Sequence, residues 1–280
     1  MSIQWFPGHM AKAKRKIAEM LTLIDVVLET VDARAPLSSY NDDLNSMLAK
    51  KVQLKILTKS DLASPKDTKA WINYFTEQGI PTFAVDSLHR VGLDAIKAKL
   101  KEEQQKISEV LAKKGRRPRS LRILVAGIPN VGKSSIINAL VKRDVAKTAD
   151  VPGFTKGNQW IRVDADIDLL DTPGIMPPKF ESGEVGLTLA ALGSIKSEVF
   201  SEEDVAFWLL GKLRLSIPGV LQERYSITTE VSNDDMLEII AKKIGAIYKG
   251  NTTDTLKAAC HVLKEFQNSK LGKISLEKPS

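Results

Sequence analysis

The sequence predicts an α/β protein: a doubly wound, mostly parallel sheet followed by a smaller all-helical domain. Up to about residue 178, short apolar runs rich in Val, Ile and Leu alternate with segments of helical periodicity. This alternation is typical of a parallel sheet with helices on both faces. After Pro177 and Pro178 the apolar residues keep a helical spacing, and strand signals become rare. We therefore expect two domains, residues 1–178 and 179–280.

Each predicted strand is a short β-rich apolar run that ends at a polar or turn-forming residue. In chain order the predicted strands are 24–32, 52–57, 81–86, 121–127, 159–163 and 166–171.

The predicted helices between these strands carry start and stop signals. Ser64 is suited to cap a helix that has Pro65 at its first position, and Gly79 follows that helix. A long helix is expected before the segment "GRRPRS" at 115–120, in which glycine and proline predict a loop. Further helices are expected at 10–22, 38–50, 133–143, 185–195, 202–213, 233–248 and 253–266.

Composition limits the class of protein. The chain has 280 residues, a formal net charge of +7 and one cysteine, Cys260, so a disulfide within the chain is excluded. A single cysteine suits a reducing compartment, and a basic chain favours polyanionic partners. No apolar run reaches the roughly 18 residues of a membrane helix, and the N-terminus lacks the pattern of a secretory signal. We expect a soluble cytoplasmic protein without a membrane partner.

The segment "GIPNVGKS" at 127–134 fits the phosphate-binding pattern G-x-x-x-x-G-K-[ST], and it lies between a predicted strand and a predicted helix. Gly127 and Gly132 let the backbone curl so that N–H groups face phosphate oxygens. Lys133 adds a charge at the β- and γ-phosphates, and the Ser134 hydroxyl can hold Mg²⁺. The predicted nucleotide-binding residues here are Asn130, Val131, Gly132, Lys133, Ser134 and Ser135.

Two further segments fit the switch regions of a nucleotide-dependent enzyme. "DTPG" at 171–174 follows an apolar strand, where Asp171 suits the Mg²⁺ shell and the Gly174 N–H can donate to a γ-phosphate. Between this segment and the phosphate loop, Thr155 in "DVPGFTKG" is the candidate to contact Mg²⁺ when a γ-phosphate is present.

The tetrapeptide "TKSD" at 58–61 follows the apolar strand 52–57 and predicts guanine recognition. The Asp61 carboxylate can accept from two adjacent guanine donors that adenine lacks, and the Lys59 stem can lie along the base. The Ser87 backbone in "VDSLH" can complete the base pocket. The alternative is an ordinary turn at the end of a strand, where Ser and Asp are common.

The order of these segments is unusual, because the base-reading loops precede the phosphate loop. In a doubly wound sheet, ligand loops lie at the carboxyl ends of the strands whatever the order of the strands along the chain. Joining the original termini and cutting elsewhere keeps every loop in place, which is tolerated when termini lie close together. The sequence therefore predicts a circularly permuted P-loop GTPase domain.

The segments "IQWFPGHMAKA", "VDARAP", "GIPNVGKSS", "AKTADVPGFTKGNQW" and "LLDTPGIMPPKF" resemble the YlqF-type family of ribosome biogenesis GTPases over nearly the whole chain. The resemblance implies an enzyme that hydrolyses GTP to GDP and phosphate and acts in late assembly of the large ribosomal subunit. It implies hydrolysis stimulated by that particle and a helical domain, residues 179–280, that contacts ribosomal RNA.

The chain departs from the family pattern at Thr58, where the family usually has Asn. We expect Thr58 to weaken the tie between the base loop and the phosphate loop, lowering nucleotide affinity while guanine specificity is kept.

The position after "DTPG" is Ile175, although many GTPases use glutamine there to orient water. The resemblance implies that His9 in "FPGHM" is the catalytic residue; the alternative is a structural or RNA-facing histidine. Asn130 is similar to the asparagine that binds K⁺ in potassium-stimulated relatives, and the alternative is a plain loop asparagine.

Basic residues cluster in two places, and together with a helical appendix they favour RNA over DNA as a partner. We expect the protein to be a monomer. The clusters are Lys12, Lys14, Arg15 and Lys16, and Lys113, Lys114, Arg116, Arg117 and Arg119. Two rival functions stay open: an RNA-binding module gated by the nucleotide, with incidental hydrolysis, and an adenine-nucleotide phosphotransferase. Against the second, "TKSD" predicts guanine and no Arg-rich lid is evident.

Overall fold

The computed structural model describes residues 21–41, 46–48, 51–141, 159–171, 182–195, 199–228 and 230–279. These residues form two compact units. One unit contains a sheet and comprises the described residues up to 171 together with 277–279. The other unit is helical and comprises those between 182 and 276. The sequence grouped residues 277–279 with the helical region, whereas in the structure they pack in the sheet unit.

The sheet has six strands in the order β3-β2-β1-β4-β6-β5. They are β1 (Val26–Asp32), β2 (Val52–Thr58), β3 (Thr82–Val85), β4 (Leu121–Ala126), β5 (Gln159–Arg162) and β6 (Ile167–Asp171). All neighbouring strands are parallel except β5, which pairs antiparallel with β6 at one edge. The observed sheet is therefore mostly parallel, as the alternation of strand and helix predicts.

Among the described residues of the sheet unit, three long helices connect strands: α1 (Pro65–Glu77), α2 (Leu93–Lys113) and α3 (Lys133–Val141). Ser64 caps α1 by accepting the Asp67 N–H, as the sequence predicts. Apolar side chains of these helices pack against the sheet. One cluster joins α2 and α3 to the sheet through residues such as Ile96, Leu100 and Ile136. A second packs Trp71 and Phe75 of α1 against Val31 and Leu57.

Strand register brings the functional loops to one edge of the sheet. Asp32 is level with Thr58, and Thr58 is level with Val85, so β1, β2 and β3 end together. On the other side, Ala126 of β4 is level with Glu29. The loops after β2, β3 and β4 therefore all leave from the carboxyl ends of the strands, which is where ligands bind in open α/β sheets.

The helical unit contains five helices among the residues described. They are α4 (Gly183–Ala191), α5 (Glu202–Ser216), α6 (Pro218–Tyr225), α7 (Asn233–Lys243) and α8 (Thr255–Gln267). Ser182, Ser201, Ser232 and Asp254 cap four of them through their side-chain oxygens. The fully buried α5 side chains Leu209 and Leu210 lie in the core of this unit.

A polar cluster in the helical unit is centred on Glu265, which is only 3% exposed. The Tyr225 hydroxyl donates to Glu265 at 2.6 Å, and Arg224 donates from Nε at 3.0 Å. The Arg224 hydrogen bonds, opposed by burial, lower the pKa of Glu265 to about 2. The cluster joins α6 to α8 without burying an unpaired charge.

No helix in the described part of the chain is long and apolar enough to cross a membrane.

A buried ion pair lies in the middle of the sheet. Lys55 of β2 and Glu29 of β1 are 1% and 2% exposed, and Nζ lies 3.0 Å from Oε2. The Lys55 ammonium also lies 4.2 Å from the ring centroid of Tyr40 and 4.5 Å from that of Phe75. These aromatic faces attract the cation and shield it from water.

Replacing Lys55 by methionine is expected to lower the free energy of unfolding by about 3–5 kcal/mol, because the Glu29 carboxylate loses its buried partner. Urea denaturation measures this change. The double variant Lys55→Met/Glu29→Leu is expected to recover most of the loss, since an apolar pair of similar volume needs no counter-charge. The exposed control Lys66→Met should change stability by less than about 0.5 kcal/mol. Equal loss in the single and double variants would contradict the prediction.

Candidate functional site

The phosphate loop connects β4 to α3 and passes very close to β1. A Cβ on Gly127 would lie 2.4 Å from Thr30 Oγ1 and 2.5 Å from Thr30 O, so only glycine fits. The Thr30 hydroxyl donates to Ala126 O at 2.9 Å, which holds β1 against the start of the loop. Asn130 adopts a positive φ of 54°, a conformation that asparagine tolerates better than most residues.

Lys133 is the first residue of α3, and its side chain folds back into the loop. It is 7% exposed, and Nζ donates to Ile128 O at 2.7 Å. The ammonium therefore lies inside the curl of backbone that the glycines permit, beside the N-terminus of α3. A helix N-terminus favours anions, so this arrangement suits the binding of phosphate groups.

Ser134 and Ser135 occupy the first turn of α3 after Lys133, half-buried and exposed respectively. The hard oxygen of Ser134 is a donor that suits Mg²⁺ bridging to phosphates. In the described ranges, no group of three or more His, Cys, Asp or Glu residues is arranged to hold a metal ion.

The base loop is tied directly to the phosphate loop by Thr58. The Thr58 hydroxyl lies 2.5 Å from Val131 O and 2.9 Å from Val31 O. The sequence suggests that threonine weakens this tie relative to asparagine. The structure supplies a short hydrogen-bonding contact through the hydroxyl; its effect on affinity stays a prediction.

Lys59 makes the second tie between the two loops. Its Nζ donates to Asn130 O at 2.8 Å and lies 3.1 Å from Asp32 Oδ2. Lys59 also has a positive φ of 53°. The long stem of Lys59 therefore spans from the base loop to the phosphate loop, where a guanine ring would lie against it.

Asp32 and Arg34 form a buried ion pair beside the base loop, and neither residue is among those that the sequence predicts for the site. Asp32 is fully buried at the end of β1 and accepts from Arg34 Nε at 2.9 Å and Nη2 at 2.8 Å. Burial alone would raise the pKa of Asp32, but the charges of Arg34 and Lys59 hold it far below its usual range. A stable carboxylate here fixes the position of the Lys59 ammonium. One signal in the sequence could have indicated Asp32: it is an acidic residue at the end of a predicted strand, and the next predicted strand ends at "TKSD".

The guanine-reading candidate Asp61 lies just beyond Lys59 and is partly buried. Burial and the neighbouring charge of Asp86 raise the pKa of Asp61. A carboxylate that is already partly dehydrated loses less solvation when a guanine edge replaces water.

The second base loop, "VDSLH", is organised by Asp86. Its Oδ1 accepts the N–H groups of Leu88 and His89, at 2.9 and 3.0 Å. Burial opposes ionisation, but these bonds and the His89 ring lower the pKa of Asp86. Ser87 lies inside this loop, and the Ser60 N–H donates to Val85 O at 3.2 Å. The two base loops are thus hydrogen-bonded to each other.

Several predicted site residues fall outside what the structure describes. His9, Thr155 and Gly174 lie outside the described residues, as does Ile175. Asp171 is the last residue of β6, and its backbone is level with Val125 of β4. The backbone of Asp171 therefore ends at the same edge of the sheet as the phosphate loop.

Among the predicted RNA-contacting cations, Arg119 has a structural partner. Its Nη1 and Nη2 donate to Asp25 at 2.7 and 2.8 Å. The side-chain hydrogen bonds to Asp25 raise the pKa of Arg119. Exposed basic residues precede it on the surface: Lys113, Lys114, Arg116 and Arg117.

Replacing Thr58 by valine keeps the shape of the side chain and removes the hydroxyl between the loops. We expect GDP affinity to fall about 5- to 10-fold, the size of one lost hydrogen bond. The preference for GTP over ATP should remain, because Asp61 is unchanged. Titration with a fluorescent GDP analogue and competition with ATP measure both quantities. The control Thr82→Val removes a hydroxyl bonded locally to Ile80 O; equal affinity of both variants would contradict the prediction.

Comparison with known proteins agrees with this geometry. Residues 122–243 match the family described as "50S ribosome-binding GTPase". The chain is 44% identical over 281 residues to ribosome biogenesis GTPase A of Bacillus cereus, covering 100% of this chain and 95% of that protein. It is 32% identical to the protein of the same name from Thermotoga maritima, covering 99% and 95%.

Solved structures give the same result. The crystal structure of GNP-bound YlqF from T. maritima has a TM-score of 0.67 and 29% identity, covering 96% of this chain and 99% of that one. The GDP-bound form has the same TM-score and 27% identity. The predicted fold class is thereby confirmed. With a guanine-type base loop tied to its phosphate loop, and relatives that match it from end to end, this chain belongs to the ribosome biogenesis GTPase A family.

Proposed function

We propose that this GTPase binds the large ribosomal subunit, acts in its late assembly and hydrolyses GTP faster on that particle. The observation that carries the proposal is the 44% identity over the whole chain to a ribosome biogenesis GTPase A. The family description "50S ribosome-binding GTPase" for residues 122–243 supports the same partner. Such a role belongs in the cytoplasm, where bacterial ribosomes are assembled.

Charge supports an RNA partner for the proposed role. The formal net charge is +7. The exposed segment 113–117, at the C-terminal end of α2, contains no acidic residue. Its basic residues are Lys113, Lys114, Arg116 and Arg117. Cations on an exposed segment can neutralise RNA phosphates with release of counterions. We propose that this segment, the basic residues near 12–16 and the helical residues 179–280 contact ribosomal RNA.

In the proposed mechanism Lys133 and the N-terminus of α3 hold the β- and γ-phosphates, while Lys59 and Asp61 hold the guanine. Ser134, Thr155 and Asp171 are the proposed ligands of Mg²⁺, which when bound neutralises charge on the phosphates. We propose Asn130 as a ligand of K⁺ beside the phosphates. Its backbone oxygen accepts from Lys59, so this residue is also tied to the base loop.

The proposed catalytic residue is His9. Ile175 stands where many GTPases have glutamine, and an aliphatic side chain cannot orient water. A histidine has two ring nitrogens and a pKa near neutrality, so it can position the attacking water. Activity would then depend on the particle placing His9 beside the γ-phosphate.

We expect purified large subunits to increase GTP turnover in potassium buffer at least about 10-fold, and His9→Ala to lose that increase. Multiple-turnover phosphate release measures the rate. The control His89→Ala removes an exposed histidine of the second base loop. Because its ring also contacts Asp86, the rates are compared at saturating GTP, where this variant should keep the stimulation by the particle. Cosedimentation with the subunit separates loss of catalysis from loss of binding.

The second candidate function is the RNA-binding module gated by the nucleotide, which the aliphatic Ile175 favours. Unstimulated hydrolysis together with tighter binding of the subunit in the GTP form would support that candidate and remove His9 from the catalytic role. Equal binding of the GTP and GDP forms would contradict this second candidate.

A further inference from the structure

The last described residues, 277–279, follow the helical unit along the chain but pack in the sheet unit. The Glu277 carboxylate accepts the Leu37 N–H at 2.7 Å through Oε2 and the Ser38 N–H at 3.0 Å through Oε1. The Glu277 backbone oxygen accepts from Trp71 Nε1 at 3.3 Å. Trp71 is fully buried. Glu277 is thus fixed through both its backbone and its side chain.

The N–H groups that Glu277 holds belong to the turn that follows β1. In this turn the Ser39 N–H and hydroxyl both bond to Ala35 O, at 3.1 and 2.6 Å. The Ser39 Oγ in turn accepts the Asp32 N–H at 2.9 Å. The Ala33 N–H donates to Thr58 O at 2.9 Å. The turn at 33–40 therefore holds the Asp32 backbone through Ser39. It also holds the start of the base loop through the bond between Ala33 and Thr58.

Asp32 connects the turn to the nucleotide site through Lys59. Its carboxylate holds the Lys59 ammonium at 3.1 Å, and Lys59 also bonds to Asn130 O of the phosphate loop. Hydrogen bonds joined by short stretches of backbone thus connect Glu277, through the turn and Asp32, to Lys59. Glu277 and Lys59 are linked although neither the sequence motif nor the nucleotide chemistry requires a residue near the C-terminus.

Glu277 has an electrostatic relation to the same carboxylate. Burial, with a smaller contribution from Asp32, raises the pKa of Glu277, although the Ser38 and Leu37 N–H groups favour the charged form. Glutamine has the same shape but only one acceptor oxygen. Because Oε2 lies 2.7 Å from the Leu37 N and 3.3 Å from the Ser38 N, a glutamine oxygen in that place should keep part of the contact.

We propose that Glu277 is a positioning residue for guanine-nucleotide binding, because it fixes the 33–40 turn through which Asp32 holds Lys59 against the base. The role requires the guanine-nucleotide binding of this GTPase and is independent of any ribosomal partner. Glu277 is expected to affect the binding of the guanine base through Lys59, and not the chemistry at the γ-phosphate.

The test compares Glu277→Ala, Glu277→Gln and a chain ending at Leu276 with the wild type. Glu277→Ala and the shortened chain are expected to bind GDP about 10-fold more weakly, from two lost charge-assisted hydrogen bonds. Glu277→Gln should stay within about 3-fold of the wild type. The matched control Lys278→Gln changes an exposed neighbour in the same tail and should bind GDP normally.

Two readouts separate positioning from a merely structural role. Positioning raises the KM for GTP and leaves the intrinsic hydrolysis rate at saturating GTP and the Tm close to wild type. GDP affinity unchanged in Glu277→Ala and in the shortened chain would overturn the proposal. A parallel fall of Tm and of the saturating rate, with no selective effect on KM, would overturn it as well. Neither measurement involves ribosomes, so the result is independent of the test in the preceding subsection.

Discussion

The Asp32 carboxylate is the group on which the base side of the nucleotide site depends. It is fully buried at the end of β1, and such a charge is costly unless it is paired. Arg34 provides a bidentate partner, and Lys59 provides a second cation. Arg34 balances the charge of Asp32, and the Lys59 ammonium, held at 3.1 Å from Asp32, also donates to Asn130 O of the phosphate loop. Removing Asp32 would leave two cations facing each other at the site.

Thr58 and Lys59 make the phosphate loop and the base loop act as one structure. Thr58 contacts Val131 O, and Lys59 contacts Asn130 O. Both bonds go to backbone oxygens of the phosphate loop, so they hold its main chain directly. The two parts of a guanine nucleotide are therefore bound by loops that are already joined to each other. This preorganisation reduces the ordering cost of binding.

The permuted chain keeps this arrangement because the sheet, and not the chain order, sets where the loops lie. β1 and β4 are neighbours in the centre of the sheet although about ninety residues separate them, and each has a functional loop or turn at its carboxyl end. Thr30 and Gly127 meet at this central pair. Residues 277–279 follow the helical unit along the chain but belong to the sheet unit, and the nucleotide motifs do not predict their contacts.

Local signals predicted much of this architecture. The glycine spacing of 127–132 and the apolar run before it specify a strand, a phosphate loop and a helix, because each depends on adjacent residues. The cap at Ser64 follows the same logic. The roles of Asp32 and Glu277 could not be predicted, since they depend on partners far apart in sequence; Glu277 bonds to residues about 240 positions away. The antiparallel pairing of β5 also requires knowledge of its neighbour.

The most direct test of the role of Asp32 is a double-mutant cycle on GDP affinity with Asp32→Asn, Lys59→Met and the double variant. Asparagine keeps one acceptor oxygen for Arg34 but removes the second acceptor and the charge that holds Lys59, and Tm values check that each variant is folded. If Asp32 acts through Lys59, the losses are non-additive, with a coupling of at least about 1 kcal/mol. Strictly additive losses would contradict the account, because Asp32 would then support the site without positioning Lys59.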